Sequence, residues 1–110
     1  PRIMGIGPVA EAERLAARTG LAARDHDVIE LNEAFAAQVL ACTRAWGLGD
    51  DDPRVNARGG AIALGHPLGM SGARIALAAA RRLAEDGGRH ALVTLCVGVG
   101  QGVALQLLRE

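Results

Sequence analysis

The sequence has no lysine and no tyrosine, and it has only one tryptophan, one phenylalanine and one serine. All twelve basic residues are therefore arginine, and twelve acidic residues balance them to a formal net charge of zero. Proteins that bind nucleic acids usually carry an excess of basic residues and often aromatic platforms for the bases. We therefore expect no nucleic-acid partner.

Long apolar runs are also missing. No stretch of about 18 uncharged apolar residues is present, so we expect no helix that spans a membrane. The first residues do not resemble a secretory signal peptide, because Arg2, Glu11, Glu13 and Arg14 interrupt them.

Cysteine and histidine are scarce. The two cysteines, Cys42 and Cys96, and the three histidines lack the CxxC and HxxxH spacings of zinc sites, so we expect no metal. At most one disulfide is possible, and a reduced chain in the cytoplasm is the simplest interpretation.

The 110 residues fit one domain or part of one. The chain begins in glycine-rich sequence without a leading strand, and we expect it to be a piece of something longer. Alternating strands and helices predict an α/β fold with a mixed, mostly parallel sheet, helices on both faces and a final antiparallel strand pair. The predicted elements are a helix at 9–19, a strand at 27–31, a helix from Asn32 with Phe35, Val39, Cys42 and Trp46 on one face, a glycine-rich segment at 55–72, a helix at 73–86, and strands at 90–97 and 103–108.

Two residues are the first candidates for chemistry. His66 lies between Gly65 and Pro67 in a rigid loop just before a predicted helix, which leaves its imidazole uncrowded. The alternative is a loop histidine that only bonds a neighbouring carbonyl. Cys96 lies at the end of an apolar strand, where a thiol transfers protons once its pKa is lowered. The alternative is a buried structural cysteine.

Three further features stay open from the residues alone. Asn32 is either the N-cap of the helix that follows or an amide that holds a water or a substrate oxygen. The glycines at 98, 100 and 102 do not match a dinucleotide fingerprint, because a strand follows them, yet the backbone N–H groups of such a turn could bind an oxyanion. Ser71 is interpreted as a helix cap. Together these features suggest proton transfer beside a polarised carbonyl.

Three segments resemble the C-terminal signatures of the thiolases, the acetyl-CoA acetyltransferases and 3-ketoacyl-CoA thiolases. They are NEAFA at 32–36, GGAIALGHPLGMSGAR at 59–74 and CVGVGQG at 96–102. The opening MGIGPV at 4–9 is also similar to the segment that enters this half of a thiolase. The resemblance covers the whole chain and identifies residues 1–110 as an incomplete thiolase C-terminal domain.

The resemblance implies an acyl transfer between a 3-ketoacyl-CoA and CoA, in either direction, at a nucleophilic cysteine of an N-terminal half. His66 would activate that nucleophile and donate to a thioester oxygen, and Cys96 would move the α-proton. Asn32 would hold a water of the first oxyanion site, and the Gly98 N–H would serve the second. Such fixed donors stabilise developing negative charge.

The resemblance also implies partners and substrates. Coenzyme A and acyl-CoA would be substrates, with no tightly bound cofactor, and the whole enzyme would be a homodimer or homotetramer. The N-terminal half with its nucleophile is absent, since Cys42 lies in a helix that does not match that region. We therefore expect the isolated chain to be inactive. Two alternatives are a non-catalytic acyl-CoA-binding or scaffold domain of the same fold and a ketosynthase relative, against which Cys96 argues.

Overall fold

The computed structural model describes residues 2–110; Pro1 of the expected 1–110 domain lies outside the described residues. Short 3-10 helices at Met4–Ile6 and Ala23–Asp25 accompany the main elements. The main elements are α1 (Gly7–Thr19), β1 (Val28–Leu31), α2 (Ala36–Ala45), α3 (Ala61–Leu64), α4 (Ser71–Asp86), β2 (His90–Val97) and β3 (Gln101–Leu108).

The three strands form one mixed sheet in the order β1-β2-β3. β1 and β2 are parallel, with Val28 opposite Ala91. β2 and β3 are antiparallel, with Val97 opposite Gln101 at the turn. The expected α/β class and the terminal antiparallel pair are thus confirmed, and the described sheet has one parallel and one antiparallel pair.

Helices cover both faces of this sheet, as the sequence predicts. On one face, Ile29, Leu31 and Leu92 pack in a cluster with residues of α1 and α2. On the other face, α4 packs Ile75, Ala79 and Leu83 at helical spacing against Val28, Ala91 and Val93. All four residues of β1 are buried, as expected of a parallel strand between two helical layers.

A buried ion pair joins α4 to β1. The Arg82 guanidinium donates to Glu30 Oε1 at 3.0 Å, and the two side chains are 4% and 2% exposed. Burial raises the pKa of Glu30, and the hydrogen bond from Arg82 opposes that rise. Arg82 also donates to the Arg54 carbonyl at 2.9 Å, so one side chain fixes the helix, the strand and the following loop together.

The expected helix from Asn32 is wrong at its beginning. Phe35 has an extended backbone, with φ of −152°, and α2 begins only at Ala36. The Phe35 side chain is 65% exposed and does not share the buried face, whereas Cys42 and Trp46 are buried as predicted. The Gln38 side chain accepts a hydrogen bond from the Ala34 N–H at 3.2 Å, which stabilises the turn before the helix.

Part of the α4 face of the sheet is uncovered. Val103 and Leu105 lie opposite Leu95 and Val93 on this face, and they are 50% and 37% exposed. Leu77 on α4 is 57% exposed. Leu77 lies on the side of α4 opposite the buried Ile75 and Ala79. Exposed apolar side chains on one side of a molecule are typical of a surface that a further element covers.

Candidate active site

The candidate residues gather at the edge of the sheet where β1 and β2 end. Asn32 follows the last residue of β1, and its N–H donates to the Thr94 carbonyl at 3.0 Å, two residues before Cys96. α4 packs on both strands and leads into β2. Leu83, in the last turn of α4, and Asp27, just before β1, both lie beside Gly88. The N-terminus of α4, with the His66 loop before it, therefore lies at the edge where β1 and β2 end.

Cys96 and the His66 loop reach this edge from opposite faces of the sheet. The side chain of Cys96 has the same parity along β2 as Leu92, which packs towards α1 and α2. α4 and the preceding loop lie on the other face. The strand ends thus stand between the thiol and the imidazole, with Asn32 beside them.

Asn32 is buried, with 1% of its surface exposed. The structure corrects its interpretation as a helix cap, because Phe35 occupies the N-cap of α2. Both Asn32 Oδ1 and Nδ2 lack a hydrogen-bond partner among the described residues. A buried unpaired polar group costs about 1–3 kcal/mol, so this amide is available to a further molecule at the edge.

The His66 ring is held by Ser71. His66 Nδ1 lies 2.6 Å from Ser71 Oγ, and Ser71 Oγ donates to the Pro67 carbonyl at 3.2 Å. With the hydroxyl proton used there, the ring proton would lie on Nδ1 and Nε2 would carry the lone pair. Ser71 is not the expected cap; it is the first residue of α4, and Met70 occupies the N-cap without a side-chain bond.

Cys96 is 8% exposed at the end of β2. Burial raises the pKa of its thiol, so the lowered pKa that the sequence analysis named as a condition for proton transfer is not found in this chain. The group is therefore protonated at neutral pH and can act as an acid. Cys42, in contrast, belongs to the core: it is fully buried, its thiol donates to the Gly5 carbonyl at 3.4 Å, and burial raises its pKa.

The turn after Cys96 joins β2 to β3, which confirms a hairpin and excludes the dinucleotide motif. Gly98 is exposed, and a Cβ there would meet nothing within 4 Å. Val99 has a φ of 59° and is 90% exposed. A Cβ on Gly102 would lie 2.7 Å from the Gly7 carbonyl, so only glycine lets α1 begin against this turn.

Two residues with a structural part in the site escaped the sequence analysis. Glu33 accepts hydrogen bonds from the Ile62 N–H at 2.9 Å and from Asn56 Nδ2 at 3.1 Å. Asn56 has a φ of 46°, a conformation that asparagine tolerates better than most residues. The adjacent Gly59 and Gly60 were the available signal that the backbone here approaches another group closely.

Other features of the surface are separate from this edge. A cleft of about 320 Å³ lies between the ends of α1 and α2, lined by Ala16, Ala23 and Trp46. Within residues 2–110, no group of three or more His, Cys, Asp or Glu could hold a metal ion. No helix in this part of the chain has both the length and the apolar character needed to cross a membrane.

Comparison with known families identifies the family and the fold of the chain. Residues 1–109 match the family model described as "Thiolase, C-terminal domain". The chain belongs to this family.

The similar proteins are much longer than the chain. The 3-oxoadipyl-CoA/3-oxo-5,6-dehydrosuberyl-CoA thiolase of Escherichia coli K12 is 62% identical over 109 residues, which are 99% of this chain and 27% of that protein. A beta-ketoadipyl-CoA thiolase of Pseudomonas putida has the same identity and coverage. The crystal structure of human mitochondrial 3-ketoacyl-CoA thiolase superposes with a TM-score of 0.91 at 44% identity, covering 98% of this chain and 27% of that one. The chain thus spans about a quarter of the length of these relatives.

Proposed function

We propose that the full-length protein carrying this chain is a thiolase, which transfers an acyl group between a 3-ketoacyl-CoA and CoA. The observation that carries the proposal is the buried, unpaired amide of Asn32, which lies at the edge of the sheet that the His66 loop and the Cys96 thiol reach from its two faces. Membership of the family supports the same activity.

The first half of the reaction begins at His66. Its Nε2 takes the proton from a cysteine thiol of the N-terminal half, and the thiolate attacks the 3-keto carbon of the substrate. The tetrahedral oxyanion collapses, the bond between C2 and C3 breaks, and the acyl group stays on the cysteine as a thioester. The Cys96 thiol protonates C2 of the departing acetyl-CoA enolate, which leaves a Cys96 thiolate.

The second half restores the enzyme. The Cys96 thiolate takes the proton of an incoming CoA thiol, and the CoA sulfur attacks the acyl thioester. The acyl-CoA leaves, and the nucleophilic cysteine recovers its proton from His66. Both halves develop negative charge on oxygen, and removal of one fixed donor to such an oxyanion typically costs about 2.7–4 kcal/mol. A water on the Asn32 amide and the Gly98 N–H are the donors that we assign.

The partners of the proposal are the absent N-terminal half and a further copy of the whole protein. The uncovered apolar residues Val103, Leu105 and Leu77 support docking of the N-terminal half on the α4 face. We propose a homodimer or homotetramer in the cytoplasm, where the free thiols of Cys42 and Cys96 stay reduced. CoA and acyl-CoA bind as substrates and no tightly bound cofactor takes part. Because the 62% identical relatives are named for 3-oxoadipyl-CoA and beta-ketoadipyl-CoA, 3-oxoadipyl-CoA is the first substrate to test.

The test uses the purified full-length protein, CoA and either acetoacetyl-CoA or 3-oxoadipyl-CoA. Thiolytic cleavage is expected, and Cys96→Ala is expected to lower turnover by several orders of magnitude. Cys42→Ala is the matched control, because it removes the other thiol from the core. Turnover that survives Cys96→Ala unchanged would favour a non-catalytic acyl-CoA-binding domain instead.

A further inference from the structure

Glu33 follows Asn32 at the end of β1, and the proposed mechanism gives it no role. Its carboxylate accepts one hydrogen bond at each oxygen: Oε2 from the Ile62 N–H at 2.9 Å and Oε1 from Asn56 Nδ2 at 3.1 Å. Gly60 lies directly against this carboxyl group, and a Cβ on Gly60 would overlap it. The side chain therefore contacts the glycine-rich segment at three places.

Asn56 is itself attached to β1. Its Nδ2 donates to the Leu31 carbonyl at 2.8 Å, and its Oδ1 accepts from the Leu31 N–H at 2.9 Å. Its backbone N–H donates to the Ile29 carbonyl at 2.9 Å. Glu33 completes this set, because its carboxylate links the end of β1 to both Asn56 and the first turn of α3.

The position of His66 depends on the two ends of its loop. Residues 62–70 are exposed, so no core packing holds them. At one end, the Gly65 N–H donates to the Ala61 carbonyl at 2.8 Å and ties the loop to α3. At the other end, Ser71 holds the ring. α3 has only four residues, and its N-cap, Gly60, carries no side-chain hydrogen bond, so the Glu33 carboxylate supplies its anchor to the sheet.

We infer that Glu33 is a positioning residue: it fastens α3 to the carboxyl end of β1 and thereby sets the place of the loop that carries the His66 imidazole. The inference rests on the proposed function, in which His66 is the base. Glu33 touches no reacting atom. Its effect passes through α3 and the loop, and a displacement of about 1 Å in a reacting group can cost roughly 100-fold in rate.

The chemistry of the contact distinguishes glutamate from glutamine. Both partners of Glu33 are N–H donors, and an ionised carboxylate offers an acceptor to each. Glutamine offers one oxygen and turns an NH₂ group towards the second donor. Glu33→Gln therefore breaks one of the two bonds while it keeps the size of the side chain.

Gly60→Ala disturbs the same contact from the other side. The new methyl group would displace the Glu33 carboxylate, and the Gly60 backbone, with φ of −128°, otherwise tolerates alanine. Glu33→Ala removes the three atoms that lie nearest to this methyl group. The two substitutions are therefore expected to be strongly non-additive.

The test compares Glu33→Gln, Glu33→Ala, Gly60→Ala and the double variant Glu33→Ala/Gly60→Ala in the full-length protein. Glu13→Gln, an exposed position on α1, is the matched control. Melting temperature establishes folding, kcat and KM are measured for thiolysis, and hydrogen exchange is followed at the amides of residues 60–66. We expect kcat to fall roughly 10- to 100-fold in Glu33→Gln with little change in KM, faster exchange at these amides, and no change in Glu13→Gln.

The outcomes separate this inference from the proposed function. If the wild-type protein lacks thiolase activity, the proposed function fails, and the exchange of residues 60–66 still tests the anchor. An unchanged kcat in Glu33→Gln would overturn the inference, and so would a fall in kcat with unchanged exchange. If Glu33→Gln does not fold, the cycle of Glu33→Ala and Gly60→Ala decides. Gly60→Ala that lowers kcat equally with and without the Glu33 side chain overturns the inference, and Gly60→Ala that lowers kcat only when the Glu33 side chain is present supports it.

Discussion

Substitution of Asn32 by leucine should weaken catalysis and strengthen the fold at the same time. The Asn32 side chain is 1% exposed, and its two polar atoms find no partner within the described part of the chain. Leucine is close to asparagine in shape and carries no polar atom. Because burial of unpaired polar groups is unfavourable, Asn32→Leu should raise the free energy of unfolding by about 1–3 kcal/mol.

The same substitution removes the proposed anchor of the oxyanion water. A lost oxyanion donor typically costs about 100- to 1,000-fold in kcat. Urea unfolding and thiolysis kinetics of the full-length protein measure the two effects, with Gln38→Leu on α2 as a comparison, since Gln38 is buried but hydrogen-bonded. A less stable Asn32→Leu protein with unchanged kcat would show that the amide is structural, and the reasoning would fail.

Four further predictions follow from described contacts. Ser71→Ala removes the hydrogen-bond partner of His66 Nδ1, so kcat should fall about tenfold and ¹⁵N NMR of the imidazole ring should show mixed tautomers. A single tautomer that persists in the variant would contradict the role of Ser71 in placing the ring proton. Burial lowers the pKa of His26 in the folded state, so the unfolded chain binds the proton more tightly, and the free energy of unfolding should decline as pH falls below about 6.5. Urea unfolding midpoints at several pH values test this, and His26→Phe should make the midpoint less dependent on pH. Arg82→Met leaves Glu30 buried without its partner and should lower the free energy of unfolding by about 3–5 kcal/mol, whereas Glu30→Leu/Arg82→Met should lower it far less. Equal losses of stability for the single and the double variant in urea unfolding would show that the ion pair does not account for the effect. The isolated chain should be inactive towards acetoacetyl-CoA and should self-associate through its uncovered apolar face; a monomer in light scattering with a high melting temperature would contradict this.

The elements with strong patterns were predictable from the sequence. The apolar run at 90–97 became β2 over the same residues, and the period of Ile75, Ala79 and Leu83 identified the buried side of α4. The glycine-rich turn at 98–102 also predicted the position of the terminal hairpin. In each case a local signal and the tertiary packing agree.

Predictions that depended on long-range contacts were less complete. Asn32 looked like a helix cap because its local sequence permits one, but the chain stays extended through Phe35 before α2 begins. Gly59 and Gly60 indicate a close backbone contact, but they do not identify Glu33 as the partner of Ile62, since 29 residues separate the two. The direction of the pKa shift of Cys96 was left open by the sequence, because burial, which raises this pKa, arises only when the strands and helices pack.

The loop around His66 also carries apolar side chains that stand in solvent. Ile62, Leu64 and Leu68 are 65%, 61% and 85% exposed. A protein surface packed against these side chains would exclude water from the imidazole and strengthen its electrostatic interactions. Assembly with that surface would then protect the acyl-enzyme from water. The reactive thioester would form only where hydrolysis is suppressed, and an unassembled chain would lose no thioester to hydrolysis.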